Sequence, residues 1–160
     1  MKKSGVLFVS MLSVLPAHAA GLDANKIFIG GGFSINDIGY GDDAIGFQIF
    51  GGIPIPVDMG KAKLSAEVGY MDSGHFEKNV PGFGTVSSKA TGLWANAVIE
   101  VPVGNKIDLI GRAGLDIGDD DGLMIGGGIG IPVGKKVDIR FEYVVRQNID
   151  SLQANIVLGL

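Results

Sequence analysis

The chain has 160 residues, of which 13 are Lys or Arg, 17 are Asp or Glu and none is Cys, and its formal net charge is −4. This length suits one domain, and the combination of 46% apolar and only 19% charged residues excludes an intrinsically disordered chain. The lack of a basic excess argues against nucleic acid as a partner, and the lack of Cys excludes a disulfide framework, a thiolate zinc site and a Cys nucleophile.

The first 19 residues have the pattern of a secretory signal peptide. Lys2 and Lys3 form a basic start, residues 6–15 are mostly apolar, and Ala17-His18-Ala19 fits an A-x-A cleavage site. The apolar run is shorter than the ~20 residues that a membrane-spanning helix needs. We therefore predict that residues 1–19 are removed on export and that residues 20–160 form one domain.

Beyond Ala20 the chain alternates apolar and polar residues with a period of two, which is typical of β-strands with two unlike faces. The clearest run is 137–145, where every odd position is apolar and Asp138, Arg140 and Glu142 stand between them. No apolar run in this part is long enough for a membrane-spanning helix. The phase of the alternation predicts eight strands, at approximately 26–35, 44–54, 61–71, 90–101, 106–117, 122–132, 136–146 and 150–160.

Two kinds of connection alternate between these strands. Residues 54–61, 102–106 and 132–136 each contain Pro, Gly and Lys, and we predict that they form turns. The other connections are polar and unequal in length, and the longest is the predicted loop Asp72–Ser88. This alternation is typical of an up-and-down antiparallel meander, and eight such strands would close into a barrel because closure removes the exposed edges.

The two faces of the strands differ in a way that indicates which one points outward. One face carries no charged residue, whereas the other combines its charges with Phe28, Phe50, Trp94 and many glycines. A water-facing surface would be more highly charged, so the polar face fits a narrow lumen and the apolar face fits lipid. The predicted fold class is an all-β, eight-stranded transmembrane barrel; the alternative is a soluble periplasmic barrel of the lipocalin kind.

The signal peptide, the eight alternating strands, the tight Pro-Gly turns and the final strand Ser151–Leu160 resemble the small outer-membrane β-barrels related to outer membrane proteins A and X, in the porin family. The resemblance implies a monomer in the cell outer membrane, in contact with outer-membrane lipids and inserted by the barrel-insertion machinery. In that family the final strand usually ends in an aromatic residue that this machinery recognises. Here the last residue is Leu160.

The charged residues of the polar face form the first candidate site. We predict that they make an ion-pair network in the lumen, because buried charges persist only when they are paired. A charged, selective pore is the alternative, although open channels belong to barrels with more strands. The predicted network consists of Lys63, Glu67, Glu100, Asp108, Arg112, Asp116, Asp138, Arg140, Glu142 and Arg146.

The loop Asp72–Ser88 is the second candidate site, since loops of this length are often functional. We predict a surface-recognition loop for an extracellular ligand, with His75, Phe76 and Phe83 as its candidate contacts. His75 lies near Ser73 and Glu77, but sequence neighbours in a loop rarely have the fixed geometry of a catalytic pair.

Aspartates in two other connections leave a cation site as a further alternative. Asp37, Asp42 and Asp43 lie in one connection and Asp119–Asp121 in another, and Ca²⁺ takes several oxygen ligands. Their spacing does not match an EF-hand loop, and we predict no metal, cofactor or catalytic residue.

Taken together, the sequence predicts an integral outer-membrane barrel with a structural or surface-interaction role, a plugged, non-conducting lumen and no enzymatic activity. The alternative is a barrel that binds a small molecule or an ion, either as a narrow pore or as a soluble carrier.

Overall fold

The alternating sequence produces eight strands that close into a ring. The computed structural model describes residues 26–39 and 42–160, so the predicted signal peptide lies outside the described residues. The strands are β1 (Phe28–Asp37), β2 (Ala44–Met59), β3 (Ala62–Val80), β4 (Gly84–Val103), β5 (Ile107–Gly118), β6 (Gly122–Pro132), β7 (Val137–Val145) and β8 (Asp150–Gly159).

Each strand pairs antiparallel with the next one, and β1 also pairs with β8 from Phe28↔Gly159 to Asp37↔Asp150, which closes the barrel. The predicted fold class is therefore confirmed. In the described part of the chain, no helix is long and apolar enough to span a bilayer.

The apolar face points outward. Ile45 and Leu123 are each 76% exposed, whereas their chain neighbours Ala44 and Met124 face the interior and are 2% and 1% exposed. The same alternation runs through the parts of the strands that form the closed ring, so the outer wall there is apolar and the interior holds most of the polar side chains. This arrangement suits a hydrocarbon environment and is the reverse of a soluble carrier with an apolar cavity.

Glycines on the inner face make room for the large side chains of the lumen. A Cβ atom built on Gly69 would lie 2.5 Å from Cζ2 of Trp94, and one on Gly30 would overlap the ring of Phe50. The rings of Phe50 and Trp94 contact each other, with centroids 5.6 Å apart. Small residues opposite large ones thus fill a narrow interior.

The two ends of the barrel differ, and we name them by their connections. The turn end carries the connections 60–61, 104–106 and 133–136, and the loop end carries 38–43, 81–83, 119–121 and 146–149. The predicted connection 54–61 is too long, because β2 continues to Met59. Pro54 fits within this strand because the pairing of β2 with β1 ends at Gly52, which leaves that edge of β2 unpaired. Pro56 lies where the pairing with β3 shifts, between Ile55 and Met59.

The prediction that residues 72–88 form a loop is wrong. Both β3 and β4 continue through this segment, and only Pro81–Phe83 forms the turn between them. The pairing shifts between Asp72 and His75, where Gly74 adopts a φ of 75°. This bulge interrupts the period of two, so the segment looks irregular in the sequence although it is paired throughout most of its length.

Candidate functional site

A chain of ion pairs crosses the lumen near mid-height. Glu100 contacts Arg140 (2.5 Å), Arg140 contacts Glu67 (2.6 Å), and Arg112 lies between Glu67 (3.3 Å) and Glu142 (2.9 Å). The side chains of Arg112, Glu67 and Glu142 have no exposed surface at all. We call these five residues the central network. Their charges come from β3, β4, β5 and β7, so the network joins strands that are not neighbours in the ring.

Amide side chains extend the central network toward β2 and β8. The Gln48 Nε2 group donates to the side-chain oxygens of Gln153 and Asn155, both at 2.8 Å. Asn155 in turn donates to Glu142 at 3.3 Å. Gln48 was not among the predicted network residues, although its inward position could have been inferred from the phase it shares with Phe50.

Aromatic rings contact the two central arginines. The guanidinium carbon of Arg112 lies 5.5 Å from the centre of the Trp94 ring, and that of Arg140 lies 5.7 Å from the centre of the Phe28 ring. Such contacts attract a cation to the ring face and are stronger where water is excluded.

A second ion pair lies closer to the loop end. Arg146 donates to Asp116 (2.7 Å) and to the Ser151 hydroxyl (2.7 Å). Ser151 donates to the side-chain oxygen of Asn36 (2.6 Å), and Asn36 donates to the backbone oxygen of Ser73 (2.8 Å). This cluster links β1, β3, β5 and β8 and the connection after β7.

Seven of the ten predicted lumen charges thus take part in ion pairs inside the barrel, and three do not. Asp108 and Asp138 are half-buried near the turn end, and Lys63 is exposed at the rim. Lys63 stands directly across from Glu100 in the β3–β4 pairing. Lys63 and Asp138 lie close enough to Glu100 to act on its charge, but among the described residues none of the three makes an ion pair with the central network.

The segment that the sequence predicts as a loop is a β-hairpin that extends beyond the closed ring. β3 pairs with β2 only as far as Asp72, and β4 pairs with β5 only from Gly92, so residues 73–91 pair mainly with each other. We call residues 73–91 the hairpin. A backbone hydrogen bond from Asp42 to Glu77 (3.1 Å) ties one of its edges to the first connection.

The three candidate contact residues of this segment have different positions. Phe83 is 88% exposed at the tip, and His75 is exposed along the hairpin. Phe76 is only 4% exposed and belongs to the interior cluster with Met71, so its assignment to a recognition surface is wrong. The bulge after Asp72 turns this ring inward.

Polar contacts at the base hold the hairpin in place. Lys89 makes an ion pair with Asp72 at 2.6 Å, and this hydrogen bond raises the pKa of the Lys89 ammonium. The Ser73 hydroxyl donates to the Gly74 oxygen and accepts from the Ala90 amide, both at 2.9 Å. Ser73 is fully buried and its hydroxyl is hydrogen-bonded to backbone groups, so it is not placed as a nucleophile activated by His75.

The aspartates of the third loop-end connection accept hydrogen bonds from their own turn and from neighbouring segments. Asp119 accepts from the Thr91 amide (2.8 Å), Asp120 accepts from the Asn148 side chain (2.7 Å), and Asp121 accepts from the Gly118 amide. Within residues 26–39 and 42–160, no group of three or more His, Asp or Glu side chains is arranged to hold a metal ion.

A closed ring of eight strands, an apolar outer wall and a polar, ion-paired interior define an integral membrane β-barrel. Residues 4–158 match the family model of the outer membrane protein beta-barrel domain. The chain belongs to this family and is an outer-membrane protein.

Solved structures share this fold at low sequence identity. A de novo designed transmembrane β-barrel has a TM-score of 0.57 and 14% identity, covering 86% of this chain and 98% of that one. Ail of Yersinia pestis, crystallised with the heparin analogue sucrose octasulfate, has a TM-score of 0.51 and 12% identity over 84% of this chain and 95% of Ail. Neisserial surface protein A has a TM-score of 0.51 and 12% identity over 88% of this chain and 99% of that one. No curated protein sequence matches the chain.

Proposed function

We propose that this outer-membrane barrel has a structural or surface-interaction role, no enzymatic activity and a lumen that is plugged by its own side chains. The observation that carries the closed lumen is the central network. Its five charged side chains cross the interior in continuous contact, and Gln48, Trp94 and Phe50 fill the space beside them. Eight strands enclose just enough room for side chains, so a connected water column has no space to form.

Planar-bilayer recording tests the closed lumen. We expect the purified, folded chain to insert without producing steady conductance steps, because an ion would have to displace paired charges that have no exposed surface. A large porin added under the same conditions is the positive control for insertion and detection. Uniform ohmic channels from the wild-type protein would refute the plugged lumen and favour the narrow-pore alternative.

The hairpin supports the surface-interaction part of the proposal. It stands beyond the ring, carries an exposed Phe83 at its tip, and leaves the β4 edge from Thr85 to Ala90 without a neighbouring strand in the ring. We infer that it contacts an extracellular ligand. Ail was crystallised with a sulfated sugar analogue, but the loop end here is rich in aspartate, which favours a cationic or neutral ligand over a polyanion.

Surface labelling tests the orientation that this role needs. Short turns usually face the periplasm and longer connections the cell exterior, so the hairpin should point outward. An epitope inserted at Gly82 is expected to bind antibody on intact cells, whereas one inserted at Asn105, in a turn-end connection, should bind only after the outer membrane is permeabilised. The opposite pattern would reverse the orientation and remove the hairpin from the cell surface.

A further inference from the structure

The two ends of the barrel carry opposite charge. The three turn-end connections contain Lys61, Lys106, Lys135 and Lys136 and no acidic residue. The four loop-end connections contain a single basic residue, Arg146, which is buried in the lumen, and five aspartates: Asp42, Asp43, Asp119, Asp120 and Asp121. The strand ends beside the turns add the exposed Lys63 and Asp58, together with Asp108 and Asp138, which are half-buried on the inner face. The exposed charged side chains at the turn end are therefore mainly lysines, whereas the loop-end connections carry mainly aspartates.

The lysines of the turn-end connections lie where the lipid-facing wall ends. Lys106 directly precedes Ile107, and Lys136 directly precedes Val137, which are the first outward-facing residues of β5 and β7. All four lysines of these connections are exposed. None of them has an ion pair with a carboxylate in the described residues, 26–39 and 42–160. We call Lys61, Lys106, Lys135 and Lys136 the lysine collar.

The lysines of the collar are distributed around the circumference of the barrel. Its lysines lie in the connections β2–β3, β4–β5 and β6–β7, which alternate with loop-end connections around the ring. A lysine at the edge of an apolar surface lays its methylene groups along that surface and places its ammonium group at the level of the lipid headgroups. Several such ammonium groups beside a membrane attract anionic lipids, and this attraction falls off with distance over about one Debye length.

We propose that the lysine collar binds the phosphate groups of anionic phospholipids in the leaflet at the turn end. With the orientation proposed above, this is the periplasmic leaflet. The acidic loop end repels the same headgroups, so the barrel selects anionic lipid at one rim only. This inference concerns lipid selection and holds whether or not the lumen conducts ions.

Spin-labelled lipids provide the test. The folded full chain is reconstituted in phosphatidylcholine vesicles with a trace of spin-labelled phosphatidylglycerol or spin-labelled phosphatidylcholine, and the fraction of motionally restricted label is measured. At ~10 mM salt we expect a preference for phosphatidylglycerol of about twofold or more, which falls toward one at ~0.5 M salt because the charges are screened. The readout does not depend on the direction of insertion, so it is separate from the surface-labelling experiment.

Charge-matched variants locate the binding groups. Lys106→Gln with Lys135→Gln should remove most of the preference, whereas Lys78→Gln with Lys89→Gln in the hairpin should leave it in place. An equal loss in both double variants would show an effect of net charge alone and would overturn the proposal, as would an unchanged preference in the collar variant. Inorganic phosphate that abolishes the preference more strongly than sodium chloride of equal ionic strength would indicate a site for soluble phosphate and would overturn the lipid assignment.

Discussion

Replacing Arg112 with methionine is expected to lower the free energy of unfolding by about 3–5 kcal/mol, because it leaves buried carboxylates without their cation. Arg112 is the only guanidinium in contact with Glu142 among the described ion pairs, and both side chains have no exposed surface. Equilibrium unfolding by urea in lipid vesicles measures the change. Trp94, the single tryptophan, is buried beside Arg112 and reports the transition by its fluorescence.

The double variant Arg112→Met with Glu142→Gln is the matched control. Removing the negative charge together with its partner should recover a large part of the lost stability, since a neutral amide costs much less to bury than an unpaired carboxylate. If the single variant were as stable as the wild type, or the double variant were less stable than the single one, the charges would not be paired in a low-dielectric lumen.

Replacing Ile49 with arginine is expected to destabilise the barrel by roughly 2–4 kcal/mol, because it places a charge in the hydrocarbon near the middle of β2. Ile49 faces outward, is 59% exposed, and lies across from Gly31 and Tyr70 on the neighbouring strands. The same urea titration in vesicles detects the effect, together with the yield of folded protein.

Ile45 provides a control on the same strand and with the same residue type. It is 76% exposed on the outer face but lies next to the loop end, where water reaches the headgroup region. Ile45→Arg should therefore cost only about 0–1 kcal/mol. Equal costs at both positions would contradict a hydrocarbon band centred on the strands.

Most of the fold follows from one property of the sequence. The period of two fixes which residues face inward, and its uninterrupted phase in β5 to β8 yields strands within one or two residues of those observed. The hairpin could not be predicted in this way because a one-residue shift near Gly74 reverses the phase of the alternation. In addition, exposed polar residues such as Ser87 occur both in loops and in strands with an unpaired edge, so the sequence does not distinguish the two. Phe76 was misplaced because of the phase shift.

The residues of the lumen site could be predicted from the sequence, but the contacts among them could not. Inward phase and height bring Arg112 and Arg140 near Glu67 and Glu142, as the sequence indicates. Which carboxylate each arginine selects depends on the stagger of the strands around the ring, which the alternation does not encode. The contribution of Gln48 depends on the same stagger, since its partners Gln153 and Asn155 lie more than 100 positions away in the chain.

The polar interior also has a consequence for how the barrel assembles. If β5 slipped by one position against its neighbours, all its side chains would exchange faces, and Arg112 and Asp116 would enter the hydrocarbon while Leu115 entered the lumen. Such a shift would raise the free energy of the barrel for two reasons. Charges on β5 would lie in lipid, and their partners on β3 and β7 would remain buried without an opposite charge. Alignments that differ by an odd number of residues are therefore disfavoured because they expose charge to lipid. Among the alignments that keep every charge inside, the observed one also pairs Arg112 with Glu67 and Glu142.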